Sequence, residues 1–292
     1  MKKLIILIIA IAFASCDKVK NPVIERKCDF KNVHIADSNT SVINTRKILI
    51  QDYTGHTCGN CPRAAEDLET IITANPGKVI GMAIHAGTQF SPPKLPDFPE
   101  DFRTTAGTQW DTYFAMSQNG LPKGSVNWAQ TPYYQSRSTW SNHAATQLAM
   151  AQKAKLFLKV SLDTTTLSVR TDVKVTMLAS TNYDVKLVVV ITEDSIIARQ
   201  KDYSVNPDEI PNYVFMHVMR GDLNGTWGEI LKPGPVASGA ELTNVSCGNV
   251  YPWGGQKKKL KDMSAVAILY AQDASSGKIM EVLQVEKLHL KK

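Results

Sequence analysis

The most restrictive feature of this chain is a cysteine pair, Cys58 and Cys61, set between a β-branched run and an amphipathic stretch. KILIQDY, from Lys47, reads as a buried strand; beyond TGHTCGNCP, residues Ala64, Ala65, Leu68, Ile71 and Ile72 fall on one helical face until Asn75-Pro76-Gly77 stops them. A second apolar run, Val79 to Ile84, leads into His85-Ala86-Gly87. Strand, helix and strand in this order make a βαβ unit with parallel strands, because a helical crossover returns the chain in the same direction. The spacing puts Cys58 at the helix N-terminus, where unpaired N–H groups and the dipole favour a thiolate. A partner sulfur two residues on can resolve a mixed disulfide. Half of a zinc site, or a structural disulfide, would look the same. Zinc lacks further ligands, since no second CxxC or His-x3-His is present and only His56 and His85 are near; no metal is expected. His85 should emerge on the dithiol's edge of the sheet, either beside the chemistry or as a hydrogen-bonded structural histidine.

The chain begins with Lys2 and Lys3 and an unbroken apolar run from Leu4 to Ala14, too short to span a bilayer and right for an export signal. It ends Phe13-Ala14-Ser15-Cys16, which resembles a lipobox. Residues 1–15 are expected to be a lipoprotein signal peptide, with Cys16 lipidated and the membrane reached through that anchor. Loss of the two lysines lowers the net charge from +6 to +4, too weak and dispersed for nucleic-acid binding. In an oxidising compartment, Cys28 and Cys247 remain as candidates for a second bridge.

Residues 16–46 read as a polar stalk, with one short strand around Asp29 to Ile35. Within 47–154, SPPKLPDFP excludes helix from Ser91 to Pro99, Phe102 to Phe114 has helical spacing, GLPKGSVNW gives a short strand, and Ser138 to Lys153 reads as a helix. Residues 155–292 carry seven period-two runs: Leu156–Leu162, Leu167–Leu178, Val185–Thr192, Tyr213–Val218, Leu242–Val245, Ala265–Ala271 and Ile279–Val285. They predict an all-β antiparallel, immunoglobulin-like sandwich.

Asp52 ends a strand six residues before Cys58. An acid there, with CxxC opening the next helix, resembles thioredoxin, in which that acid handles the proton of the buried cysteine; Pro122 matches the cis-proline that faces the dithiol. The chain departs from that pattern with Thr57 in place of tryptophan, Pro62 directly after the second cysteine, the proline-rich insertion, and no clear fourth strand after Trp128. TGHTCGNCP at Thr54–Pro62, IHAG at Ile84–Gly87, GLPKGSVN at Gly120–Asn127 and NGTWG at Asn224–Gly228, behind a lipoprotein signal, resemble the twenty-eight-kilodalton outer-membrane protein family of Bacteroidota. The resemblance implies an outer-membrane or surface lipoprotein and brings no substrate or cofactor.

The expected function is thiol-disulfide exchange in the cell envelope with a protein partner, as a thiol-disulfide oxidoreductase: Cys58 attacking from a solvent-facing position, Cys61 resolving, Asp52 relaying a proton, Pro122 shaping the groove. The alternative is a surface binding or adhesion lipoprotein in which Cys58–Cys61 is a structural disulfide and Tyr251, Trp227 and Trp253 supply contact. Lys257 to Lys259 with Lys261 read as a solvated loop, and Arg220-Gly221-Asp222 as a chance tripeptide.

Overall fold

The structure is a computed structural model that describes residue 30 and residues 33–38, 44–251 and 257–291. The signal peptide, Cys16, Cys28, Trp253 and most of the stalk lie outside the described residues. Strand β1 (Val33–Asp37) pairs antiparallel with β5 (Ala154–Asp163), so this part of the expected stalk belongs to the folded body.

β2 (Ile48–Thr54) is buried along its whole length, as its continuous apolar run requires. It pairs in parallel with β3 (Val79–His85) and antiparallel with β4 (Lys123–Val126), which therefore hydrogen-bonds to the Asp52 strand and not to the His85 strand. Ile48 and Ile50 pack with Val79 against α1 (Cys61–Ala74) and α3 (Trp140–Ala149), through Leu68, Ile71, Trp140 and Ala144. Leu49 and Tyr53 face the other way, onto Ile84, Trp128 and the Trp110 and Phe114 side chains of α2 (Thr105–Phe114). Thr104 caps α2, its hydroxyl accepting from the Gly107 N–H at 2.9 Å.

The remaining strands are β6 (Ser168–Met177), β7 (Asp184–Glu193), β8 (Ile196–Lys201), β9 (Glu209–Phe215), β10 (Val218–Asp222), β11 (Glu229–Lys232), β12 (Glu241–Asn249), β13 (Met263–Gln272) and β14 (Ile279–His289). They do not close on themselves as a separate sandwich. One sheet runs β14-β13-β7-β10-β3-β2-β4, with β11 also on β7, and so crosses the expected boundary at 154; a second runs β1-β5-β6-β12. The larger sheet curls until its ends meet: the Val282 N–H donates to the Asn127 carbonyl at 2.8 Å, and the Lys47 ammonium pairs with Glu286 at 2.5 Å, both side chains buried.

The cause is legible in β7 and β13. Val185, Leu187, Val189 and Ile191 face the four-stranded sheet, while Val188 and Val190 face Trp110, Trp128 and Tyr270. A strand apolar on both faces needs cover on both sides. The GLPKGSVN and NGTWG segments build the seams. Asn127 accepts the Leu49 N–H at 2.9 Å, and Asn224 bridges the Val189 N–H and the Leu187 carbonyl, each side-chain amide standing in for a neighbouring strand. Gly228, at φ 59°, lies where a Cβ would fall 1.9 Å from the Leu187 carbonyl oxygen, so no larger residue fits.

The run expected as one strand over Tyr213–Val218 breaks at His217, whose φ is 58° and whose N–H donates to the Asp194 carboxylate at 2.7 Å. The break leaves β8 and β9 as a hairpin of their own, in neither large sheet.

Candidate functional site

Cys58 and Cys61 form a disulfide with Cα atoms 5.4 Å apart. The loop between them is closed by the Cys61 N–H donating to the Cys58 carbonyl at 3.1 Å, and Pro62 occupies the first turn of α1, where a missing N–H costs nothing. Asn60, not Cys58, is the N-cap residue. Cys58 is also not solvent-facing: it is 2% exposed, like Cys61. The β8–β9 hairpin covers it. The Lys201 N–H donates to the His56 carbonyl at 2.9 Å and the Tyr203 N–H to the Gly59 carbonyl at 2.9 Å, while the Gln200 amide donates to the Cys58 carbonyl at 3.1 Å. Period two in Ile196, Ala198 and Gln200 marks β8 in the sequence, but nothing local says that it lands on residues from position 56.

Asp52 is buried beneath α1, and its Oδ1 has no hydrogen-bond partner. Burial, helped by the charge of Asp67, raises its pKa to about 8. A cavity of about 30 Å³, room for about one water, lies between Asp52, Cys61, His85 and Gln200. A larger one of about 360 Å³, between α1 and β9, is lined by Asp52, Ala65, Leu68, Glu69, Tyr213 and His217. The acid and the second cysteine thus line one cavity. Leu121–Pro122 is cis and directly precedes β4, whose Lys123 is in register with Tyr53; Pro122 does not line the cavity at Asp52 and Cys61.

His56 and His85 are both buried, their rings 6.3 Å apart among Phe98, Phe102 and Phe215. None of their four ring nitrogens has a hydrogen-bond partner. Burial lowers the pKa of His56 to about 4; burial and then the charge of His56 lower that of His85 to about 3. Both are neutral at physiological pH, and the expected structural hydrogen bond of His85 is not made. Among the described residues no cluster of three or more His, Cys, Asp or Glu is placed to hold a metal ion.

A charged cluster that the sequence did not reveal sits at the base of the hairpin. His217 lies 2.9 Å from Asp194 and 2.7 Å from Glu69 of α1, and Lys287 is 3.2 Å from Asp194. Burial would lower the His217 pKa, but the two carboxylates raise it; burial likewise opposes the ionised form of Asp194, which His217 and Lys287 hold below the usual carboxylate range.

Cys247 is disulfide-bonded, and Cys28, its expected partner, lies outside the described residues. Arg220 is within strand β10 and paired with the buried Glu193 at 3.3 Å, so the tripeptide it opens is not a loop tip. Trp227 packs on Trp110, Tyr113 and Phe114 as core, whereas Tyr251 is exposed.

With this geometry in hand, the chain can be set beside known proteins. No curated protein matches it. HBP35 of Porphyromonas gingivalis is similar in structure with a TM-score of 0.59 at 14% identity, over 84% of this chain and 76% of that one. A protein of Agrobacterium tumefaciens, AGR_C_4864, gives a TM-score of 0.51 at 14% identity, over 85% of this chain and 96% of that one. At these identities the likeness is one of fold. A domain of the outer membrane lipoprotein Omp28 from Porphyromonas gingivalis is 21% identical over 49% of this chain and 91% of that one, with a TM-score of 0.30. The family model for outer membrane protein Omp28 matches residues 108–292, more than half of the chain. The chain therefore belongs to the Omp28 outer-membrane protein family of the cell envelope.

Proposed function

We propose that this protein is an envelope lipoprotein, anchored through Cys16, that exchanges thiols and disulfides with a protein partner. The observation that carries the reading is the shared cavity: Cys61 and Asp52, whose Oδ1 is unpartnered, line one water-sized space at the start of α1. A parallel β2–α1–β3 unit with β4 antiparallel beside it supports a thioredoxin-like arrangement for residues 47–154, and the packing of β5, β6 and β12 on β7 and β13 supports an immunoglobulin-like one that is continuous with it through β10 and β3. In the oxidised form a partner thiolate bonds to Cys58 Sγ as the Cys58–Cys61 bond breaks. Cys61 leaves as a thiolate and takes the proton that Asp52 holds; a second partner thiol then displaces Cys58. The partner ends as a disulfide and this chain as a dithiol, a two-electron transfer. Asp52 suits the relay because its raised pKa lies near that of a thiol.

Equilibration with glutathione redox buffers tests the reading. A Cys58–Cys61 potential within reach of glutathione supports exchange, and one too reducing to equilibrate refutes it. The burial of Cys58 favours the second reading, a binding lipoprotein stabilised by this disulfide, which that refuting result would select. Intact mass of Cys16→Ser tests the anchor by loss of acyl chains. A non-reducing peptide map tests whether Cys247 pairs with Cys28, as we also propose.

A further inference from the structure

The groups that close over Cys58 are arranged as one polypeptide segment laid across another. The N–H groups of Lys201 and Tyr203, two residues apart, donate to the carbonyls of His56 and Gly59, three residues apart in the turn that leads from β2 to α1, so two main-chain bonds fasten the hairpin tip onto that turn. Between them, the Gln200 amide reaches the Cys58 carbonyl at 3.1 Å and the Gly55 carbonyl at 3.4 Å. The Tyr203 ring lies flat on Gly59, where a Cβ would come within 2.5 Å of it, so glycine is the residue that lets an aromatic ring pack here. The tip of the hairpin is not part of the core it covers. As strands, β8 and β9 pair only with each other, their base is held by Phe102, Ile196, Ala198, Phe215 and Val218, and Ile197 and Tyr203 remain 58% and 55% exposed.

We propose that Gln200–Tyr203 is an internal pseudosubstrate: it occupies, over His56–Gly59, the binding site of a polypeptide segment that carries a cysteine beside an aromatic residue. This rests on the exchange reading above. The partner segment replaces the hairpin tip, takes over its main-chain bonds to His56 and Gly59, seats its aromatic ring on Gly59 and brings its thiolate to Cys58. Exchanging one segment for another conserves the main-chain hydrogen bonds, so the site opens without exposing unpaired carbonyls. In the absence of such a segment the disulfide stays covered, which keeps other thiols from it.

Reduction of the oxidised full chain, trapped by alkylation over time, tests this with three reductants: dithiothreitol, the hexapeptide of residues 199–204 with Asp202→Cys, and the same peptide with Tyr203→Ala as well. The protein is compared with its Gln200→Ala/Tyr203→Ala variant, and with Gly59→Ala, which displaces the ring from the other side. The expected result is reduction at least tenfold faster in both variants with dithiothreitol, and in the intact protein a several-fold advantage of the tyrosine peptide over its alanine form. Equal rates in protein and variants, or no preference for tyrosine, would overturn the pseudosubstrate and leave exchange standing. If no folded form is reduced by any of the three while the denatured chain is, the exchange reading falls and takes this inference with it.

Discussion

Two buried regions of this molecule are built on opposite rules. Between the four-stranded sheet and strands β7 and β13 the core is built of apolar side chains, Leu156, Leu158, Val160, Val173, Leu187 and Leu269 interlocking, with the buried hydroxyl of Thr171 on β6 as an exception. At the corner where β2 meets α1, Asp52, His56 and His85 are equally buried and keep polar atoms without partners. Buried polar groups are nearly always satisfied, and the exceptions concentrate where a fold gives up stability for chemistry. On the proposed exchange reading, the working part of the chain is the corner and the two-sheet core is its support.

The contrast can be broken first from the core side. Leu187→Ala should cost about 3 to 5 kcal/mol in urea denaturation, through lost burial and the cavity left behind, while Cys58 in the reduced, folded variant alkylates no faster than in the reduced parent. A change in alkylation without a change in stability would reverse the assignment.

The corner should respond in the opposite direction. Asp52 holds a proton in the folded chain up to about pH 8 that the unfolded chain releases near pH 4, so its contribution to stability falls as pH rises between those values. Asp52→Asn should remove that slope, stabilising the protein by about 2 to 4 kcal/mol at pH 8 and hardly at pH 4, while slowing exchange. Chemical denaturation across this range gives the slope directly.

The histidines tilt the curve the other way. Unfolded His56 and His85 bind protons below about pH 6.5, whereas the folded forms refuse them until about pH 4 and 3. Stability is therefore lost as pH falls from 6.5 toward 4. His85→Phe, which fills an aromatic site and removes two unpartnered nitrogens, should be neutral or stabilising by about 1 kcal/mol at pH 7 and by more at pH 5. Destabilisation at both pH values would mean that His85 has a partner in solution.

His217 gives the smallest effect. Its pKa is raised by Asp194 and Glu69, so its ion pairs contribute fully below its unfolded value and fade as pH rises through the folded one. His217→Gln should cost about 1 kcal/mol at pH 6 and less in alkaline solution. The same substitution should loosen the base of the hairpin, read as faster amide exchange at Lys201 and Tyr203 in acid than in base after correction for intrinsic rates.

Some of this was legible before any tertiary structure. KILIQDY, the CxxC spacing, the helical face from Ala64 to Ile72 and the Val79–Ile84 run place strand, turn, helix and strand correctly, because each is a local pattern of periodicity and turn residues. Most of the strands after residue 155 were visible for the same reason, but β8, β10 and β11 were not among the expected runs, and the run over Tyr213–Val218 is broken at His217. The partners of the strands were not visible. β10 touches β3 through a single register pair, Val218 with Ala83, and no periodicity encodes that choice.

What the sequence determined by itself is the chemistry available, two cysteines at redox spacing with an acid six residues before them, together with a family signature in TGHTCGNCP, IHAG, GLPKGSVN and NGTWG. Only the tertiary structure decided how that chemistry is exposed. The solvent-facing Cys58 expected from its place ahead of a helix is covered by a hairpin about 140 residues further along the chain. The physical reason lies in the kind of contact involved. Local patterns fix which face of a strand or helix is apolar, whereas the landing of Gln200–Tyr203 on His56–Gly59 depends on how a curled sheet carries β7 and β10 alongside β3, a sum of many distant packing choices that no short segment records.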